Sequence, residues 1–184
     1  MKSKMLTPRF LFITIAIIAA AFSRLIPHPF NFTPIAAMAL FGGACFSNKK
    51  IAFIVPLLSM FLSDCLLGFG FHNTIIYVYA SFIIITLIGM YMRSNAKTGS
   101  IILASLASSL IFFVVTNFGY WAANNPTSGF SGLIGAYFAA IPFYNNDIFG
   151  SFFLNTIVGD LFFNGMLFGS LYVAQLRFPV LTKI

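Results

Sequence analysis

Three charged residues interrupt apolar stretches of the chain, and they are the first candidates for chemistry: Arg24, Asp64 and Asp160. If these stretches are helices, a rise of 1.5 Å per residue puts each charge about 21–25 Å from the basic residue at the far end of its stretch. A charge buried at this common level needs a partner, because an unpaired one is costly. We therefore predict a structural ion pair in which Arg24 contacts Asp64, Asp160 or both. The same polar level is also compatible with a ligand site.

Neutral polar and aromatic residues fall near the same level. Histidines and an asparagine occupy the segments between apolar stretches, and a cysteine follows one of the aspartates. Loop histidines are common without any ligand, but a mainly apolar lining with a few polar groups is typical of small-molecule pockets. We predict a substrate-binding site formed by His28, Asn31, Asp64, Cys65, His72, Asn117 and Trp121.

The chain lacks the residue patterns of catalysis. Glu is absent, and two histidines without a nearby Glu do not make a metalloprotease site. No Ser-His-acid arrangement typical of hydrolases is evident, and no G-x-x-x-x-G-K-S/T sequence occurs. Cys45 and Cys65 lack the paired spacing of a zinc site and are interpreted as small hydrophobic residues. We expect no enzymatic activity, no metal and no other cofactor.

The composition suits a lipid bilayer. Hydrophobic residues make up 60% of the 184 residues, and only 7% are charged, whereas a soluble surface needs far more charge. The net charge of +7 comes from basic residues spread along the chain, so we expect no nucleic-acid partner. We interpret residues 1–184 as one all-α integral membrane domain.

Apolar run length predicts the number of membrane spans. A spanning helix needs about 20 mostly apolar residues, and fewer where flanking residues reach the interface. The six predicted spans lie near residues 9–26, 34–48, 51–68, 75–92, 98–121 and 149–176. A seventh apolar run, 132–144, has only 13 residues and contains Pro142, so we interpret it as a short re-entrant or surface helix before the last span.

The basic residues predict the orientation. Cytoplasmic segments of membrane proteins collect Lys and Arg. With the N-terminus inside, nine of the ten basic residues fall on the cytoplasmic side and only Arg24 falls outside. This split requires an even number of spans, so both termini are expected inside the cell. The first 24 residues also resemble a signal peptide, but the charge pattern works best if they remain as a helix.

Small residues lie four apart on the first predicted helix, at Ala16 and Ala20. This spacing lets two helices approach closely. Packing within the bundle and docking to a partner membrane protein are both consistent with it.

Several short blocks resemble a family of small, largely uncharacterised bacterial integral membrane proteins. The resemblance extends over nearly the whole chain, and its most specific part is the first block, although Phe30 stands where that family commonly has a second proline. The blocks are Arg24-Leu-Ile-Pro27-His28-Pro29-Phe30-Asn31-Phe32-Thr33-Pro34, Ala39-Leu40-Phe41-Gly42-Gly43, Ser63-Asp64, Thr116-Asn117-Phe118 and Gly159-Asp160-Leu161-Phe162.

That family is in turn similar to the substrate-capture (S) components of energy-coupling-factor vitamin transporters, including solitary cobalamin-type ones. The resemblance implies a six-helix protein of the bacterial cytoplasmic (inner) membrane, with a vitamin-binding pocket beneath its outer loops. It implies an energy-coupling membrane subunit with ATPases as a candidate partner, docked at Ala16 and Ala20. If the substrate were a corrinoid, Cys65 or a nearby outer-loop group would be the metal-facing ligand. The alternatives are a structural or assembly membrane protein without a ligand and, less compatible with these residues, a membrane enzyme.

Overall fold

The computed structural model describes residues 7–70, 72–124, 128–140 and 151–182. This part of the chain is all-helical, and each of the seven predicted apolar runs contains a helix. Short 3-10 turns follow two of the helices, at Arg93–Asn95 and Pro179–Thr182. The α-helices are α1 (Pro8–Ser23), α2 (Ile35–Cys45), α3 (Lys49–Leu66), α4 (Ile75–Met92), α5 (Thr98–Asn124), α6 (Gly129–Ala140) and α7 (Phe152–Arg177).

Side-chain caps define where three of these helices begin. The hydroxyl of Thr7 accepts a hydrogen bond from the Phe10 amide, and Pro8 occupies the first turn of α1, where its missing N–H costs nothing. Asn48 accepts bonds from two backbone amides at the start of α3. Ser151 caps α7 by accepting from the Leu154 amide. These caps satisfy amides that have no partner within the helix.

Three helices, α4, α5 and α7, are long and apolar enough to cross a membrane. The fold is therefore compatible with membrane association. Among the other predicted spans, α1 has 16 residues and α2 only 11. Helix α3 has 18 residues, but they include Lys49, Lys50 and Asp64. The all-α fold class is thus confirmed for the described residues, with three candidate spans. Six spans with both termini inside stay a prediction.

Helix α6 is the short helix expected before the last span. It covers 12 residues and has no buried residue, and Phe130 and Phe138 are 75% and 71% exposed. Residues 141–144 of the predicted run lie outside the described residues. Its interpretation as a re-entrant or surface helix stays a prediction.

Helix α2 forms the centre of the bundle. All of its residues are buried, and it packs against α1, α3, α4, α5 and α7. Its closest neighbour is α4, where the backbones meet at Gly43 and Gly89. A Cβ atom added to Gly43 would overlap the Thr86 carbonyl oxygen and lie 3.0 Å from Gly89 Cα. Small residues are required here because they allow this backbone approach.

The bundle has two chemically distinct ends. We call the end where α2, α4 and α7 finish the basic end, because Arg9, Lys49, Lys50, Arg93, Lys97 and Arg177 belong to it. We call the opposite end, with the connections 24–34 and 67–74, the loop end. Of the basic residues in the described part of the chain, only Arg24 belongs to the loop end. This asymmetry separates Arg24 at the loop end from the other described basic residues at the basic end.

Candidate functional site

Arg24 and Asp64 form a buried ion pair near the loop end. The Arg24 Nη1 atom lies 2.7 Å from Asp64 Oδ1, and each residue is only 6% exposed. Arg24 also donates to the hydroxyl of Ser63, while the Tyr79 hydroxyl donates to Asp64 Oδ2 at 3.2 Å. The pair forms because Arg24 follows the last residue of α1, Asp64 lies in the last turn of α3, and these helices pack together. Both charges therefore have partners, as burial requires.

Asp160 does not join this pair. It is 1% exposed and accepts a hydrogen bond from the Ser109 hydroxyl at 2.6 Å, between α7 and α5. One turn away, Asn164 donates to the Ser105 hydroxyl at 3.0 Å. Of the predicted partners of Arg24, which were Asp64, Asp160 or both, the described residues show Asp64. The inclusion of Asp160 in the structural ion pair is therefore corrected. Depth along a helix was predicted from residue spacing, but the direction in which α7 presents Asp160 was not.

A cavity of about 400 Å³ lies at the loop end, and we call it the larger cavity to distinguish it from one of about 280 Å³ beside Asp64. It lies among the 24–34 connection, α5, α6 and the start of α7, with phenylalanine and alanine side chains over much of its wall. Its polar lining residues are Asn31, Thr116, Asn117, Tyr120 and Thr156. A mainly apolar cavity with a few polar groups is the usual form of a small-molecule site.

Two of the polar lining residues have acceptor atoms that receive no hydrogen bond from the described part of the chain. The Asn117 side-chain amide nitrogen donates to the Phe113 carbonyl at 2.8 Å, and the Thr156 hydroxyl donates to the Phe152 carbonyl at 2.9 Å. One of the two Asn117 side-chain N–H groups and the hydroxyl hydrogen of Thr156 are thereby used within their own helices. The Asn117 amide oxygen and the Thr156 hydroxyl oxygen still have lone pairs that can accept hydrogen bonds. The cavity is therefore suited to a ligand that donates hydrogen bonds and carries apolar surface.

The connection 24–34 is held against α7 and so shapes one wall of the cavity. Asn155 donates to the Phe30 carbonyl at 2.8 Å. Gly159 leaves room for the connection, since an added Cβ would lie 3.2 Å from Phe32 Cα. Asn31 has a positive φ of 63°, a conformation that asparagine tolerates better than most residues. The conformation of this segment therefore depends on α7 as well as on its own sequence.

A second cavity of about 280 Å³ lies beside the ion pair. Asp64, Cys65 and Tyr79 line it, together with the 68–70 segment. Cys65 is exposed and has no disulfide partner. The predicted site residues Asp64 and Cys65 thus line this smaller cavity rather than the larger one.

Three other predicted site residues line neither cavity. His28 and His72 are exposed, with Nδ1 atoms 2.6 Å and 3.1 Å from carbonyl oxygens of their own loops. Trp121 donates to the Ser128 hydroxyl at 3.3 Å and packs against Phe118. Of the seven predicted residues, the larger cavity brings together only Asn31 and Asn117. The described residues also contain no group of three or more His, Cys, Asp or Glu side chains that could hold a metal ion.

The small residues of α1 pack within the bundle. Ala20 is buried in the hydrophobic core, and Ala16 is half-buried against it. This contact agrees with the internal-packing alternative for their spacing. Docking to a partner at these positions stays a prediction.

Sequence reasoning missed some of the polar residues that the fold brings together. Tyr120 and Thr156 line the larger cavity, and Ser109 binds Asp160. The i, i+4 repeats of Ser105 with Ser109 and of Asp160 with Asn164 were a usable signal, because such pairs share a helix face. No comparable signal marked Thr156, which resembles any helix-interior threonine.

Apolar helices, buried polar contacts and a cavity at one end define an all-helical bundle compatible with a membrane. Residues 4–181 match the sequence model of a protein family of unknown function, DUF6580. The chain belongs to this family. No curated protein and no solved structure matches the chain.

Proposed function

We propose that this protein captures a small, vitamin-like molecule at the outer face of a bacterial cytoplasmic membrane, in the manner of a transporter S component. The main observation that supports this proposal is the cavity of about 400 Å³ at the loop end. Its volume falls near the lower limit of typical ligand pockets, roughly 300–1,000 Å³. Its lining combines Asn31, Asn117 and Thr156 with aromatic side chains.

The proposed orientation puts the loop end outside and the basic end inside. The concentration of Lys and Arg at the basic end supports it through the usual charge bias of membrane proteins. This orientation requires α1, α2 and α3 to cross the membrane together with α4, α5 and α7. Helices of 16 and 11 residues are shorter than the hydrocarbon core of a bilayer is thick. They can cross it only if residues that flank them, or other parts of the protein, extend to the membrane interface. The cavity would then open toward the outside of the cell, from which the substrate comes.

The cavity size also favours a compact ligand over a corrinoid. Cys65, the candidate metal-facing ligand for a corrinoid, lines the separate cavity beside Asp64. We therefore propose a smaller vitamin-like molecule with hydrogen-bond donors for Asn117 and Thr156. Release to the inside would need reorientation, alone or with an ATP-driven membrane partner. Ala16 is the better docking candidate, because Ala20 is buried in the core.

A structural or assembly protein without a ligand is the main alternative. It would use the Arg24–Asp64 pair and the Ser109–Asp160 bond to fix helix register. It gives no reason for an open, mainly apolar cavity with a few polar groups between α5, α6 and α7. The cavity therefore favours the binding function.

Mass spectrometry of molecules that copurify with the protein in mild detergent tests the proposal. We expect a small molecule to copurify with the wild type. It should also copurify with the control variant Ile134→Phe, because Ile134 lies on an exposed position of α6 outside the cavity lining. Ala136→Phe fills the cavity from the same helix and should lose that molecule. Equal retention by both variants would refute this location, and the absence of any bound molecule from the wild type would favour the alternative.

A further inference from the structure

The basic end contains a separate cavity of about 210 Å³. Arg9, near the start of α1, and Arg93, directly after α4, both line it. Gln175 and Tyr172 of α7 add polar atoms to the lining. Two arginines from different segments of the chain thus line one space large enough for several waters or a phosphate group.

Backbone carbonyls hold both guanidinium groups in position. Arg9 Nη1 donates to the Leu181 carbonyl at 3.0 Å. Arg93 donates to the Ser47 carbonyl at 3.0 Å and to the Gly43 carbonyl at 2.9 Å. These bonds use one and two of the five N–H donors that each guanidinium carries. The Nε atoms of both arginines are buried and have no hydrogen-bond partner in the described residues.

The charge of this cavity is uncompensated by the described residues. Asp64 is paired with Arg24, and Asp160 is bonded to Ser109, both away from the basic end. The remaining acidic residue, Asp147, lies outside the described part of the chain. Arg9 and Arg93 therefore line one cavity without a described carboxylate, and an anion bound there would reduce the repulsion between their like charges.

We propose that this cavity binds a phosphate group between Arg9 and Arg93. Guanidinium groups match phosphate oxygens in geometry and form charge-assisted hydrogen bonds with them. Both the headgroup of an anionic phospholipid and free inorganic phosphate supply this chemistry. Basic pockets between membrane helices on the cytoplasmic side bind such headgroups. The site is distinct from the loop-end cavity and does not depend on the proposed vitamin capture.

Two measurements on the full protein test the site and separate its sources. The first is thermal unfolding in mild detergent, titrated with sodium phosphate against sodium chloride at equal ionic strength. The second is native mass spectrometry after reconstitution in phosphatidylglycerol or in phosphatidylcholine. A phosphate-dependent rise in Tm identifies free phosphate, whereas selective retention of phosphatidylglycerol identifies a lipid headgroup.

Variants connect either signal to the cavity. Arg9→Gln should weaken binding about tenfold or more, equal to about 1.4 kcal/mol. Because Arg9 also bonds Leu181, Ala96→Leu provides a second test, obstructing the cavity lining while both arginines remain. Arg177→Gln is the matched control, since it removes an exposed charge from the same end outside the cavity. Binding of neither probe by folded wild type, or equal binding by all variants, would overturn the proposal.

Discussion

Removing the Arg24 guanidinium should strongly destabilise the protein. The Asp64 side chain is 9% exposed beside Arg24. Arg24→Ala leaves its carboxylate with a single described hydrogen bond, from Tyr79 at 3.2 Å. Breaking one member of a buried ion pair costs about 3–5 kcal/mol, because the other charge stays buried without compensation. We therefore expect a loss of that size in the free energy of unfolding.

A double-mutant cycle separates the pair from its surroundings. Asp64→Ala removes the second charge, so the double variant leaves only neutral hydroxyls, those of Ser63 and Tyr79. The double variant should recover about 2 kcal/mol relative to the sum of the single losses, within the usual range for contacting groups. Denaturant unfolding of the purified protein in mild detergent, followed by circular dichroism, measures all four free energies.

Asp160 provides the control cycle. It is bonded to Ser109 on α5 and has no described contact with Arg24. Losses from Arg24→Ala and Asp160→Ala should therefore add to within about 0.5 kcal/mol. Additive losses for Arg24 with Asp64, or strong coupling of Arg24 with Asp160, would refute the assignment of partners.

Two further predictions concern topology and helix packing. The topology can be tested in a Cys65→Ser background, which removes the exposed native thiol. A cysteine that replaces Asn73 should be labelled from outside intact cells, and one that replaces Asn95 should be labelled only after permeabilisation. External labelling at position 95 would contradict the predicted topology. Gly43→Ala should destabilise the bundle by about 1–3 kcal/mol through overpacking against α4. Gly165→Ala, with no atom within 4 Å of the added Cβ, should be neutral or slightly stabilising, and equal effects in unfolding experiments would argue against the close approach.

The helical architecture could be read largely from the sequence. Apolar run length predicted helices at all seven places, and the limits of α4 match the predicted run 75–92. The central position of α2 was not predictable in this way. Its 11 residues are apolar on every side, so periodicity does not indicate which neighbours cover them. The close contact of Gly43 with Gly89 depends on tertiary packing between segments far apart in the chain.

The candidate site was only partly predictable for a related reason. Residue spacing gives depth along a helix, and depth brought Arg24 and Asp64 together correctly. It does not give the rotation of each helix, which turns Asp160 toward Ser109 and Thr156 toward the cavity. The loop histidines were grouped with the site by their type and level, yet their rings bond to their own loops. Loop conformation depends on local turns that residue type alone does not specify.

The most direct test of ligand capture compares two asparagines of α5 by isothermal titration calorimetry with candidate vitamins. Asn117 and Asn124 each donate to the backbone carbonyl four residues earlier, but only Asn117 lines the larger cavity. We predict that Asn117→Ala weakens vitamin binding about tenfold or more, while Asn124→Ala and the basic-end variant Arg9→Gln bind like the wild type. Unchanged affinity in folded Asn117→Ala, together with lost binding in Arg9→Gln, would contradict a vitamin site at the loop end.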